Sequence, residues 1–241
     1  MPPKPRAEGS SPSAPASMNR IVKETDSAGK STSYSYDEAG HLVGVTAANN
    51  GHIKMNYDSN GNLSSIIDAV NRPVTYQYDL NDRLVKVKQG GAETRYAYDA
   101  VGNVTTVTNG EGNTTTYDYD LASRLVSTKN PLDEITSYVY DRNGNLSKVK
   151  QADGSTISYD YDALDSLVSK NYSEESTPSV LYGYDSEGRC VSMDDFSGKN
   201  AYQYDELGRV VSVTSSNGEK IGYRYDKCGN LSKLIYLRAV R

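Results

Sequence analysis

The sequence predicts an all-β protein of tandem β-hairpins that form one curved, spiralling antiparallel sheet. Three observations lead to this prediction: a Tyr-Asp pair that occurs ten times, tyrosines that alternate with other residues before it, and turn residues after it. Successive pairs are separated by 20, 21 or 23 residues, and a fixed period near 20 residues is typical of repeat architectures. Ten hairpins give about twenty strands, and almost no helix is expected.

The first half of each repeat is a strand that ends in a turn. Two tyrosines flank one residue before the Asp, as in Tyr76-Gln77-Tyr78-Asp79, so both rings lie on one face of the strand. The Asp carboxylate can accept a hydrogen bond from the backbone N–H group two residues further on, which favours a turn. Seven repeats carry Gly three residues after the Asp, where a positive φ is expected, and Asp82, Ser123 and Asp165 replace it in the others.

The structural repeat motif thus comprises a tyrosine, an aspartate and, in seven repeats, a glycine. Its members are Tyr36, Asp37, Gly40, Tyr57, Asp58, Gly61, Tyr78, Asp79, Tyr98, Asp99, Gly102, Tyr119, Asp120, Tyr140, Asp141, Gly144, Tyr161, Asp162, Tyr184, Asp185, Gly188, Tyr204, Asp205, Gly208, Tyr225, Asp226 and Gly229.

The second half of each repeat is a return strand that begins with Leu or Val in nine repeats. A second apolar residue tends to follow three positions later, as in Leu63 and Ile66. An odd separation places these two side chains on opposite faces unless a bulge intervenes, and the sequence leaves this open. A second turn, such as Asn217-Gly218, then leads to the next tyrosine strand.

Two architectures compete for a chain of about twenty short strands. An open sheet of more than about ten strands curls or closes, which favours a coiled sheet. A β-propeller would build each four-stranded blade from two repeats, so odd and even repeats should differ consistently. They do not, because Gly is replaced in the third, fifth and seventh repeats but kept in the first and ninth. The coiled sheet is therefore preferred.

Composition divides the chain into three segments and limits its function. Residues 1–19 are rich in Pro and Ser and are predicted to be a disordered leader, residues 20–236 form the array, and residues 237–241 are a tail. The array starts within a repeat and has no capping units, so the chain reads as part of something longer. The net charge of −5 disfavours nucleic acid as a partner, and the sequence has neither a membrane span nor a secretion signal.

The repeated unit resembles the RHS or YD repeat, a family that includes bacterial Rhs and wall-associated proteins, the C component of insecticidal toxin complexes, and teneurins. The resemblance is carried by Tyr-x-Tyr-Asp-x-x-Gly-Asn/Arg-Leu, seen at residues 138–146 and, ending in Val, at 202–210, and it extends over residues 20–236. It implies a spiral β-sheet that winds into a hollow shell. In the toxin members such a shell encloses a toxic domain, and in teneurins it supports adhesion.

Three functions follow as hypotheses. The first is a non-catalytic scaffold, a segment of an Rhs/YD-repeat shell whose partner is the remainder of a larger RHS protein or neighbouring repeats, with a toxin domain as its enclosed cargo. The second is an adhesion module that binds carbohydrate or a partner surface. The third is a truncated gene remnant without independent function. As part of a parent protein, the chain is expected outside the cell or at its surface.

Residues that could carry chemistry are few. The outer tyrosines could stack on sugar rings, although packing across strands is the preferred explanation for them. They are Tyr76, Tyr96, Tyr117, Tyr138, Tyr159, Tyr202 and Tyr223. One carboxylate per hairpin does not converge into a cation site, so no metal or cofactor is expected. His41 and His52 lie apart from Cys190 and Cys228, which are expected to be free thiols, and no catalytic motif occurs.

Overall fold

The computed structural model describes residues 20–237, which form 21 β-strands and no helix. The prediction of an all-β chain of about twenty strands is confirmed. The predicted leader, residues 1–19, lies outside the described residues, as do residues 238–241 of the predicted tail. The chain divides into two units: one runs to Ala97 and includes Thr108–Gly112, and the other comprises Tyr98–Val107 and the residues from Asn113 onward.

In the first unit, each strand pairs antiparallel with the strand before it in the chain. Even-numbered strands carry the tyrosines and are called tyrosine strands, and odd-numbered strands are called return strands. The strands are β1 (Lys23–Thr25), β2 (Ser31–Tyr36), β3 (Leu42–Thr46), β4 (His52–Tyr57), β5 (Leu63–Ile67), β6 (Pro73–Tyr78), β7 (Leu84–Gln89) and β8 (Ala92–Tyr98), of which the last residue belongs to the second unit.

The second unit continues the same pattern of antiparallel neighbours. Its strands are β9 (Val104–Thr108), β10 (Thr114–Tyr119), β11 (Leu125–Lys129), β12 (Ile135–Tyr140), β13 (Leu146–Lys150), β14 (Thr156–Tyr161), β15 (Leu167–Tyr172), β16 (Val180–Tyr184), β17 (Cys190–Asp195), β18 (Gly198–Tyr204), β19 (Val210–Thr214), β20 (Lys220–Tyr225) and β21 (Leu231–Leu237). Within each unit, the described strands contact only their neighbours in the chain.

A β-bulge at the start of the return strand determines on which face of the sheet its two apolar residues lie. In the first hairpin Tyr36 lies opposite Leu42 and Ser35 lies opposite Gly44, so one extra residue is accommodated between them. Tyr34 then lies opposite Val45, and both apolar residues share the face of the tyrosines. The same shift occurs in the other eight hairpins that lie within one unit.

The two faces of the sheet differ in chemistry. One carries Tyr, Leu and Val, and the other carries the residue between the two tyrosines and the polar residue opposite it. On that polar face Asn56 donates a hydrogen bond of 2.7 Å to Ser65, and Asp160 accepts one from Ser169. No hydrophobic side chain in residues 20–237 is buried. The sheet therefore has no enclosed apolar core of its own on either face.

The turns form two rows in each unit, because consecutive strands alternate in direction. In each unit, the row of turns that begin with the repeat Asp is called the motif edge. These turns are residues 37–41, 58–62 and 79–83 in the first unit, and residues 99–103, 120–124, 141–145, 162–166, 185–189, 205–209 and 226–230 in the second. The opposite edge is the row of turns that lead into the tyrosine strands. On the motif edge the fourth turn residue has positive φ, at +58° to +60° for Asp82, Ser123 and Asp165, which confirms the prediction for this position.

Candidate functional site

Side chains of successive repeats meet along the motif edge. Each of its turns is closed by its own first residue. In the ninth turn the Asp205 Oδ1 accepts the N–H groups of Leu207 and Arg209 at 3.0 and 2.9 Å. Two backbone hydrogen bonds, from the first N–H to the fifth carbonyl and from the fourth N–H to the first carbonyl, recur in all ten turns. The turn geometry therefore already uses the repeat carboxylate.

The second carboxylate oxygen binds the side chain of the fifth turn residue. Arg209 donates to Asp205 Oδ2 from Nε at 2.8 Å and from Nη2 at 2.7 Å. These guanidinium hydrogen bonds hold the pKa of Asp205 below its ordinary value, and those from Arg124 do the same to the pKa of Asp120. The carboxylates of Asp120 and Asp205 are therefore charged and hydrogen-bonded at neutral pH.

The inner tyrosine of each repeat reaches back to the preceding repeat. The Tyr140 hydroxyl donates a hydrogen bond of 2.9 Å to the Leu125 carbonyl, 15 residues earlier. The ladder between β11 and β12 ends at Ser127 opposite Ser137, so this carbonyl lies beyond the last backbone pair. A buried carbonyl without a partner is costly, and the hydroxyl supplies one where the strands separate.

The same hydrogen bond to the first residue of the preceding return strand, or to the corresponding Ile21, recurs along the described chain. Its donors are Tyr36, Tyr57, Tyr78, Tyr140, Tyr161, Tyr184, Tyr204 and Tyr225. Partial burial raises the pKa of the phenols of Tyr78, Tyr161 and Tyr184 above the ordinary value. Tyr78, Tyr161 and Tyr184 therefore link neighbouring repeats as neutral donors.

Arginine or histidine at the fifth turn position also contacts the next inner tyrosine. The Arg209 guanidinium lies 4.6 Å from the centre of the Tyr225 ring, in the range of a cation–π contact. Arg189 makes the equivalent contact with Tyr204 at 5.1 Å. Where the fifth turn residue is arginine, it thus connects the aspartate of its own turn to the inner tyrosine of the next repeat.

Asparagine at the fifth position makes a different link to the next repeat. Asn145 Nδ2 lies 3.2 Å from Asp141 Oδ2 in its own turn and donates at 2.7 Å to Asp165 Oδ1 in the next turn. Asn143 donates to the same Asp165 oxygen at 2.8 Å. The positive-φ residue of one turn is therefore hydrogen-bonded by the turn before it.

The outer tyrosines lie in one column on the apolar face of each unit. All seven that the sequence suggested for ligand stacking are half-buried. Tyr138 lies opposite Val149, and Tyr202 lies opposite Val213. Successive rings are separated by a return strand, which places them about 10 Å apart. Tyr34 occupies the same column, although the sequence analysis left it out.

The remaining candidates do not form a cluster in the described residues. His41 stacks on Tyr57 with ring centres 4.6 Å apart, and His52 lies 2.9 Å from the Thr46 hydroxyl. Cys190 is half-buried and Cys228 is exposed, and both are free thiols. Residues 20–237 contain no group of three or more His, Cys, Asp or Glu side chains that could hold a metal ion, and no helix that could cross a membrane.

The sequence analysis missed the fifth turn residue. It is present in the motif as Asn or Arg, but no role was assigned to it, because its partner lies about 20 residues further on. The signal that could have revealed it was the replacement of Gly in the third, fifth and seventh repeats, each of which follows a repeat with Asn at the fifth position.

These features define a tandem hairpin-repeat protein of the YD type, and two family models match its sequence. The teneurin YD-shell model matches residues 103–235, and the RHS repeat model matches residues 19–52, 57–94 and 83–114. The YD-shell match covers more than half of the chain. The chain therefore belongs to the teneurin YD-shell family, and the resemblance found in the sequence is confirmed.

Solved structures with a similar fold are toxin-complex proteins. TcdB2-TccC3-TEV aligns with a TM-score of 0.70 at 16% identity, over 90% of this chain and 14% of that one. TcdB2-TccC3-Cdc42 gives 0.59 at 15% identity, over 90% and 15% of the two chains. The Tc holotoxin pore of Photorhabdus luminescens gives 0.51 at 15% identity, over 86% and 17%.

At these identities the likeness is one of fold, and it confirms the predicted fold class of a YD-type shell sheet. The chain spans less than a fifth of each of these structures. Among curated proteins, no sequence matches the chain.

Proposed function

We propose that the chain is a non-catalytic structural segment of an Rhs/YD-repeat shell, within a secreted or surface-delivered protein of toxin type. The observation that carries this proposal is the pairing of repeats through the motif edge, without any buried hydrophobic side chain in residues 20–237. A sheet whose repeats are hydrogen-bonded to one another and which encloses no apolar core is suited to form part of a shell wall. The family match and the toxin-complex structures support the same function.

The chemistry of the polar residues also supports a structural role. The motif-edge carboxylates accept hydrogen bonds from their own turns, and the inner tyrosines donate to backbone carbonyls. General acid–base catalysis needs a group that can exchange a proton with a substrate. Here these groups are engaged in hydrogen bonds within the sheet. The partner we propose is the rest of a larger RHS protein.

Small-angle X-ray scattering on the purified chain, together with circular dichroism, tests whether the segment is a self-standing wall. A compact globule of this length has a radius of gyration of about 18 Å and an unfolded chain about 54 Å. We expect strand-type dichroism with a value modestly above that of the globule. A value near the unfolded one contradicts independent folding and supports the gene-remnant alternative, whereas a globule with a buried core contradicts the wall.

Recognition of carbohydrate or a partner surface is a second candidate function. One observation favours it: the outer tyrosines recur on one face at a regular spacing and remain half-buried rather than buried. Aromatic rings with a polar tip are suited to such contacts. The test is a glycan array with the intact chain and with Tyr138→Ala and Tyr159→Ala combined.

The matched control for that array is Val139→Ala, which alters an exposed side chain between two tyrosines of β12. Binding that the tyrosine variant loses and the control keeps supports recognition. Absence of binding to any glycan, with the variant folded, leaves the structural role as the sole function proposed for this face.

A further inference from the structure

Neighbouring turns on the motif edge meet through two positions, the fifth residue of one turn and the fourth residue of the next. The structure contains two forms of this contact. In one form Asn meets Asp or Ser, and in the other Arg or His meets Gly. Both forms occur in both units, which makes them a property of the repeat rather than of one location.

In the Asn form, the amide of the fifth residue donates to the side chain at the fourth position of the next turn. The distances are 2.6 Å from Asn62 to Asp82, 3.1 Å from Asn103 to Ser123, and 2.7 Å from Asn145 to Asp165. The acceptor residues adopt φ of +58° to +60°, a region that residues other than Gly occupy at some cost. The inter-turn hydrogen bond offsets that cost.

In the Arg or His form, the long side chain lies over the next inner tyrosine. At Gly40, Gly61, Gly144 and Gly229 it also lies within 4 Å of the position that a Cβ would take, whereas the space at Gly208 is open. A Cβ added to Gly61 would lie 3.3 Å from His41 Nε2, and one added to Gly144 would lie 3.6 Å from Arg124 Nη1. One added to Gly40 would overlap the Arg20 guanidinium. A side chain longer than one carbon would compete with the guanidinium or imidazole for this space.

The sequence follows the two forms without exception. Each Asn at the fifth position that has a following turn precedes Asp or Ser at the fourth: Asn62 and Asp82, Asn103 and Ser123, Asn145 and Asp165. Each Arg or His precedes Gly: Arg20 and Gly40, His41 and Gly61, Arg83 and Gly102, Arg124 and Gly144, Arg189 and Gly208, Arg209 and Gly229. Ser166, which is too short for either contact, precedes Gly188.

We propose that these two positions form a recognition pair that determines which YD-type hairpin can lie beside which. A turn with Asn at its fifth position accepts a neighbouring hairpin with Asp or Ser at the fourth position of its turn. A turn with Arg or His at its fifth position accepts a hairpin with Gly there. Among the described strands, β21 pairs with β20 alone and is therefore an edge strand of the sheet. The turn that leads into β21 carries Asn230 at its fifth position. The partner this edge fits is a YD-type hairpin with Asp or Ser at the fourth position of its turn.

A double-mutant cycle at Asn145 and Asp165 in the full chain tests the pair. The variants are Asn145→Arg, Asp165→Gly and the two combined, and the readout is hydrogen exchange of the Asp165 and Ser166 amides, both of which donate to Asp162. We expect Asn145→Arg alone to speed exchange about tenfold, because it removes a hydrogen bond to a charged group and crowds Asp165. Combined with Asp165→Gly, it should change exchange less than about twofold.

Simple charge attraction gives the opposite expectation, since a new arginine beside Asp165 would form an ion pair. Equal or slower exchange in Asn145→Arg than in the natural chain would therefore overturn the proposal. Should Asn145→Arg unfold the chain, Asn145→Ser provides the same comparison without added bulk. This variant should speed exchange with Asp165 present and leave it unchanged with Asp165→Gly, and identical effects in both backgrounds would also refute the pair.

The reciprocal cycle at Arg124 and Gly144 is the matched control. Gly144→Asp alone places a bulkier residue at φ +96° beside a guanidinium and should speed local exchange. Adding Arg124→Asn should recover part of that loss, because the amide then has an acceptor in the next turn. Recovery in neither cycle would mean that each turn tolerates its residues independently of its neighbour.

Discussion

The motif edge and the opposite edge differ in how strictly their geometry is kept. On the motif edge five residues always lie between the inner tyrosine and the residue that starts the return strand. On the opposite edge the connection is two residues at 90–91 and 196–197, and seven residues at 173–179. All departures of the repeat from 21 residues therefore arise on the opposite edge.

The difference shows where the repeats depend on one another. Side chains of the motif edge reach across to the next repeat, as Arg209 does to Tyr225, so a change in length there would break several contacts at once. The opposite edge mostly closes on itself, as in the Asp68 turn, whose carboxylate binds Val70 and Arg72 of the same turn. The motif edge contacts its neighbour in most repeats, whereas the opposite edge does so at a few places, as where the Ser216 hydroxyl donates to the Ser197 carbonyl.

Acidification should break the motif edge most completely. Hydrogen bonds from arginine lower the pKa of Asp79, Asp120 and Asp205 below the ordinary 3.8. Between pH 3.8 and these lowered pKa values, the unfolded chain binds more protons than the folded chain. The stability that these carboxylates contribute above pH 3.8 is therefore lost as the pH falls through their folded-state pKa values. Circular dichroism from pH 7 to pH 2 should show loss of strand structure below about pH 4. Retention of the fold at pH 2 would contradict this expectation.

Insertion of two glycines should have the next largest effect, and this effect should differ between the two edges. Between Glu206 and Leu207 the insertion breaks the constant turn and the Arg209–Tyr225 contact, and we expect a large fall in the thermal midpoint. Between Glu174 and Glu175 it lengthens a loop that is already seven residues long, at a cost below about 1 kcal/mol. Equal midpoints for the two insertions would remove the distinction between the edges.

Removal of a single turn carboxylate should give a smaller effect in the same direction. Asp205→Ala loses two backbone hydrogen bonds and the arginine pair, whereas Asp153→Ala in an opposite-edge turn loses its hydrogen bond to the Ser155 N–H. We expect Asp205→Ala to lower the thermal midpoint more than Asp153→Ala does. The reverse order would place the stronger turn on the opposite edge.

Tyr140→Phe is expected to have the smallest effect of the four, about 1 kcal/mol. It removes the hydroxyl that donates to the Leu125 carbonyl and leaves the ring in place. Tyr138→Phe, two residues earlier in the outer column, is the matched control and should be close to neutral. Denaturant unfolding of both variants measures the difference, and equal losses would show that the inter-repeat hydrogen bond adds no stability.

Much of this fold could be read from the sequence, because the repeat period, the Tyr-x-Tyr alternation and the Asp turn are local patterns. The bulge could not be read, since Leu42 and Val45 are compatible with either facing until the register with Tyr34 is known. The inter-repeat contacts were missed for a different reason. Asn145 looks like an ordinary turn residue within its own repeat, and its role depends on Asp165, 20 residues further on.

The proposed recognition pair has a consequence for how such an array gains or loses repeats by recombination. Deleting the sixth repeat alone would bring Arg124 beside Asp165, and deleting the seventh alone would bring Asn145 beside Gly188. Deleting both would join Arg124 to Gly188, which is a permitted combination. Near the ninth repeat, by contrast, a single deletion would join Arg189 to Gly229 without a mismatch. Under the proposed pairing, the array can therefore lose its sixth and seventh repeats together and its ninth repeat alone.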